Sequence, residues 1–175
     1  MQKLSTDLMG KPVYSVQSGE PLGLLTGFIL QSGDLKMVAL TIKVPSSQDV
    51  HYLLPADIRY FNTQKILVDS LQNLSVFADL VRHQHAITES YDLIGKKVET
   101  ASGKKLGKVA SFLFDPAHYY VTKINVTPPL LQRVLTTSLL IARADIVETK
   151  AKVIIVKENL AKVKKTAPVV LPQGN

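Results

Sequence analysis

Residues 7–13 of this chain, Asp-Leu-Met-Gly-Lys-Pro-Val, return at 92–98 as Asp-Leu-Ile-Gly-Lys-Lys-Val. The block Ser18-Gly19-Glu20-Pro21-Leu22-Gly23 returns as Ser102-Gly103-Lys104-Lys105-Leu106-Gly107, and each copy continues into an apolar run centred on a phenylalanine, Phe28 and Phe112. Ala56-Asp57-Ile58 is repeated as Ala144-Asp145-Ile146, and Lys65-Ile66-Leu67-Val68 is echoed by Lys152-Val153-Ile154-Ile155-Val156. A unit of about 80 residues, large enough for a small core, therefore occurs twice. A site that belongs to the fold has to appear in both copies. A site particular to this chain is to be sought where they differ.

The first copy breaks into short runs rich in β-branched and aliphatic residues, each bounded by turn residues: 11–16, 22–30, 35–44, 50–54, 58–61 and 65–68. Six such strands in so short a span predict a mainly β fold, with each copy a small antiparallel barrel around its own core. Gly19 and Gly103 fall between the first two strands, where a hairpin needs a positive φ. Gly23 and Gly107 lie within a strand pattern, which predicts a bulge or sharp bend. Asp57 and Asp145 recur in a turn and read as caps rather than as a catalytic base. Between the copies, Ser75 to Arg82 suits a short helix with Phe77, Leu80 and Val81 on one side. The resulting division is a first domain at 1–72, a helical linker at 73–90, a second domain at 91–165 and a disordered tail at 166–175.

The ordered set Asp-Leu-x-Gly-Lys-x-Val, Ser-Gly-x-x-Leu-Gly, apolar strand, Ala-Asp-Ile and closing strand resembles the PRC-barrel family, over about 7–70 and again over 92–160. That fold is also the cytoplasmic domain of the photosynthetic reaction centre H subunit and the C-terminal domain of a bacterial ribosome maturation factor. The resemblance implies a small, highly bent β-barrel used as a binding module, without family-wide catalytic residues to carry over. The second copy departs at Arg143, which stands where the first has Pro55.

The chain carries a net charge of +7, and its distribution is uneven. Residues 1–86 hold seven Lys/Arg and seven Asp/Glu, whereas 87–175 hold fourteen and seven. All the excess lies in the second copy, which favours an anionic partner there, unless the lysines serve solubility and protect strand edges. Lys96, Lys97, Lys104, Lys105 and Lys108 crowd around the first hairpin of copy two, where the matching positions of copy one offer only Lys11. The second difference is the insertion Thr127 to Thr137. It begins Thr-Pro like a helix start and puts Leu130, Leu131, Val134 and Leu135 on one face, either covering its own barrel or offered to a partner.

Other chemistry is thin. The chain has no cysteine, so thiolate nucleophiles and disulfides are excluded. His83 and His85 stand two apart and diverge on a helix, and no Gly-rich phosphate loop precedes a helix. No catalytic residue, metal site or cofactor is expected. No apolar stretch is long enough for a signal peptide or membrane span, so the reading is a cytoplasmic, non-enzymatic adaptor with a protein partner. RNA or the ribosome, or an anionic membrane surface, is the alternative partner for the basic copy.

Overall fold

The computed structural model describes residues 2–129 and 138–162. The expected helix and apolar stripe at Leu130, Leu131, Val134 and Leu135, and the expected disordered tail, lie outside the described residues.

In the first half, β2 (Pro12–Ser15), β3 (Pro21–Leu30), β4 (Met37–Lys43), β5 (Val50–Leu53), β6 (Ile58–Phe61) and β7 (Ile66–Val68) fall on the six expected runs. A further strand, β8 (Leu74–Val76), joins the edge, giving the order β6-β7-β2-β3-β4-β5-β8. The second half contributes β9 (Lys97–Thr100), β10 (Lys105–Asp115), β11 (Tyr120–Thr127), β12 (Leu139–Ala142), β13 (Ile146–Thr149) and β14 (Val153–Val156). Their order, β12-β11-β10-β9-β14-β13, is that of the first half read from the other edge. Even the irregularities recur: register shifts at Leu25/Gly27 and Ile29/Leu30 return at Val109/Ser111 and Leu113/Phe114. Bulges repeated at matching places are features of the fold, because each one bends the sheet where it must curl.

The sheets are not purely antiparallel. β2 pairs in parallel with β7, as β9 does with β14. The 3-10 turn Pro55–Asp57 and the β6–β7 hairpin reverse the chain so that the last strand of each unit runs alongside its first. Gly19 and Gly103, at φ +74° and +86°, occupy the hairpin positions where a side chain would be strained.

The segment between the halves differs from the expected helix over 75–82. Leu74–Val76 adds to the open edge of β5, with Tyr52 opposite Ser75, and the Phe77 ring lies 6.4 Å from that of Tyr52. Pairing with a free sheet edge satisfies these backbone groups as a helix would. The α-helix that does form, α2, comes later at Gln84–Thr88, so Leu80 is buried while Val81 is exposed.

A single core replaces the two expected. Buried residues from both halves form one apolar cluster, which includes Leu8, Val13, Leu25, Leu40, Leu53 and Ile66 with Val98, Phe112, Phe114, Ile124, Ile141 and Ile154. The halves meet through matching residues. The two central phenylalanines, Phe28 and Phe112, touch edge to face at 5.2 Å. The Met37 N–H donates to the Tyr119 carbonyl at 2.7 Å, and the Val121 N–H donates to the Leu35 carbonyl at 3.2 Å. Leu35 and Tyr119 are themselves counterparts, and both adopt the left-handed region, at φ 54° and 57°. Such reciprocity is the mark of a twofold, isologous contact.

The leading segments cross over in the same way. β1 (Lys3–Leu4), just ahead of the first copy, pairs with β10 of the second half, and the buried Ser5 Oγ in α1 (Ser5–Leu8) accepts from the Phe112 N–H at 3.1 Å. Ser90 and Tyr91, just ahead of the second copy, pair with the end of β3 through a Gln31–Ser90 bridge and a Tyr91 N–H to Leu30 carbonyl bond of 2.7 Å. One chain thus contains the interface of a dimer with exchanged arms.

Candidate functional site

With the fold shared, the outward faces of β2–β3 and β9–β10 can be compared position by position. In the second half Lys97 stands opposite Lys108 and Glu99 opposite Lys105, while Val98 and Thr100 point into the core. In the first half the corresponding pairs are Pro12 opposite Leu24 and Tyr14 opposite Pro21. The row through Tyr14 continues across parallel β7 to Leu67 and on to Tyr60 of β6. Its second-half equivalent runs from Glu99 to Ile155 and Glu148. One face is therefore apolar and aromatic, with Leu24 48% and Tyr60 50% exposed, where its counterpart is charged.

Of the five lysines singled out by sequence, three share this face. Lys97, Lys105 and Lys108 line a depression of about 300 Å³ with Glu99, Gly107, Pro128 and Pro129. Like charges directly opposite on paired strands cost roughly 0.2–1 kcal/mol, so the Lys97–Lys108 pair is not there for stability. Lys96 turns away: its ammonium donates to the Ala151 carbonyl at 2.6 Å and sits 5.0 Å from the centre of the Tyr91 ring. The Tyr91 hydroxyl donates to the Lys150 carbonyl, and burial raises its pKa, keeping it a donor. Lys104 lies at the hairpin tip, within the field of Glu158.

Glu158 pins that tip. Its carboxylate accepts from the Ser102 hydroxyl at 2.8 Å and the Ser102 N–H at 3.1 Å, and these bonds hold its pKa below the usual glutamate value. Since the folded pKa is lowered, the stabilisation is complete above the unfolded value of about 4.3 and is lost as pH falls through the folded one. Ser102→Ala removes the principal cause. The Glu158 midpoint, followed by carboxyl carbon NMR, is expected to rise toward the ordinary value, and an unmoved midpoint would contradict the pinning.

The remaining sequence candidates take structural places. Asp57 accepts from the Asn73 amide at 3.2 Å, and Asp145 is paired with Lys157 at 3.1 Å. His83 precedes α2 and His85 lies in it, and among the described residues no group of three metal-ligating side chains comes together. Sequence reasoning missed the apolar face of the first half. Its signal was visible as Pro12 and Tyr14 standing where the second copy has Lys97 and Glu99.

In each half the bent sheet closes on a parallel pair, β2 with β7 and β9 with β14. Residues 88–161 match the family model of the PRC-barrel domain. No curated protein matches the chain. No helix among the described residues is long and apolar enough to cross a membrane.

Proposed function

We propose that the chain is a non-enzymatic, cytoplasmic adaptor built from two PRC-barrel-like units, with each outer face serving a different partner. What carries this reading is the contrast at four equivalent positions: Pro12, Tyr14, Pro21 and Leu24 in one unit, Lys97, Glu99, Lys105 and Lys108 in the other. A fold that needed those positions for itself would fill them alike. The first face is suited to a protein partner, since its exposed aliphatic and aromatic side chains gain by leaving water. In full-length protein, Leu24→Glu with Tyr60→Glu is expected to abolish capture of a protein partner that the Lys97→Gln, Lys105→Gln, Lys108→Gln variant still retains. Identical captured sets for both variants would sink the two-face reading.

The lysine face supports a second reading, contact with RNA or another polyanion. Removing one lysine–phosphate pair should flatten the dependence of log K on log salt by about 0.7 for a single strand. The triple glutamine variant is therefore expected to lower the slope of RNA binding by about 2. An unchanged slope would remove RNA from consideration and leave an acidic protein or an anionic lipid surface as the basic face's partner.

A further inference from the structure

The approximate twofold between the halves sets Phe61 in the first against Thr149 in the second. Phe61 of β6 reaches across to the Phe114 ring of the other half, 5.5 Å between centres. A cleft of about 920 Å³ remains between the Ser32–Leu35 turn of one half and β11, β13 and the turn at Arg143 of the other. Its floor includes the buried Leu35 and Val121 with Ile146, and its rim is polar, the make-up of a small-molecule site.

Other replacements around it change its charge and hydrogen-bonding groups. Arg143 stands for Pro55, His118 for Asp34, and Tyr120 for Lys36, while Lys36 itself, next to the lining Leu35, approaches the Tyr120 ring from the first half. The Arg143 guanidinium lies 4.9 Å from the centre of the Tyr120 ring and the Lys36 ammonium 5.9 Å from the same centre. The two cations are thus within about 11 Å of each other, close to one Debye length at 0.1 M salt.

The charge of the cleft follows from who is already paired. Asp115 is engaged by His118 at 2.6 Å, and Glu148 by Lys150 at 3.3 Å. Arg143 and Lys36 have no carboxylate partner among the described residues. A guanidinium resting on an aromatic ring keeps its N–H edge free to fork onto two oxygens, and an ammonium adds a point charge. Thr149 Oγ1, which accepts from the Gly33 N–H at 3.0 Å and bonds the Ser32 hydroxyl at 3.3 Å, lines the facing wall.

We propose that this cleft binds a small polyvalent oxyanion, a phosphate- or carboxylate-bearing molecule, held by Arg143 from the second half and Lys36 from the first. The site exists only because the halves are fused and unequal. It is separate from the two outer faces, so it stands or falls independently of the adaptor reading.

The test is titration of the full chain with inorganic pyrophosphate and, in a parallel arm, with citrate, followed by amide NMR. Saturable shifts at Gly33, Tyr120 and Thr149 are expected, with the tighter probe identifying the anion class. Arg143→Gln with Lys36→Gln, both exposed positions, should weaken binding at least tenfold, whereas Lys97→Gln with Lys105→Gln should leave it intact. The proposal is overturned by shifts that do not saturate, that centre on Lys97 to Lys108, or that persist in the Arg143/Lys36 variant with unchanged affinity.

Discussion

Gly107→Ala is expected to destabilise the chain by about 2–6 kcal/mol, adding backbone strain to overpacking. Gly107 sits at φ +142°, a conformation essentially closed to residues with a Cβ. A Cβ added there would drive into the carbonyl oxygen of Thr127 on β11, with the Thr127 carbonyl carbon at 2.7 Å and the Pro128 Cα at 3.0 Å. These are backbone atoms, which cannot step aside as a flexible side chain can. Gly23, the counterpart in β3, has no such φ, but its Cβ would come within 2.5 Å of the Lys43 carbonyl oxygen. Gly23→Ala is therefore expected to cost only the packing part, about 1–3 kcal/mol. Urea unfolding of the two variants should rank Gly107→Ala clearly below Gly23→Ala, and equal midpoints would refute the strain argument.

The strands were legible because their signal is local: β-branched runs, period-two alternation and glycines at Gly19 and Gly103 are all carried by neighbouring residues. What joins the halves was not legible for the opposite reason. The bonds from Met37 to Tyr119 and from Val121 to Leu35 use main-chain atoms, which every residue offers, so no side-chain pattern announces them. Leu35 and Tyr119 at positive φ make the point sharply, since neither residue type favours that region. The parallel pairing of β2 with β7 was equally hidden, because alternation specifies a strand's faces but not its neighbour.

The lysine cluster shows where proximity in sequence misleads. Lys96 and Lys97 are adjacent, yet the strand pleat sends them to opposite sides, and Lys96 finds its partners at Ala151 and Tyr91. Lys105 and Lys108 join Lys97 only because β9 and β10 pair in that register. In the first half, the run from Leu22 to Leu30 is apolar on both faces, so its pattern could not say that Leu24 stays in water. That became visible only once Pro12 and Leu24 could be set beside Lys97 and Lys108.

The two halves are expected to unfold as one, and Phe112→Ala tests this most directly. Phe112 is 1% exposed, lies at the centre of the shared cluster and packs against its own counterpart, Phe28. Truncating a buried phenylalanine costs about 3–5 kcal/mol, of which the ring pair with Phe28 supplies roughly 0.5–1.5 kcal/mol. A double-mutant cycle with Phe28→Ala should return that coupling, since the cycle isolates the pair from the burial of each ring. The shape of the transition is as informative as its midpoint. With exchanged arms, reciprocal hairpin bonds and a contiguous core, truncation of Phe112 removes support from both sheets together, and a single cooperative transition should simply move to lower denaturant. Were the duplicated units independent domains joined end to end, the same variant would split the curve, leaving the first half at its original midpoint. Coincident disappearance of signals from Tyr14 in the first sheet and Tyr120 in the second would establish that the repeat folds as a fused pair.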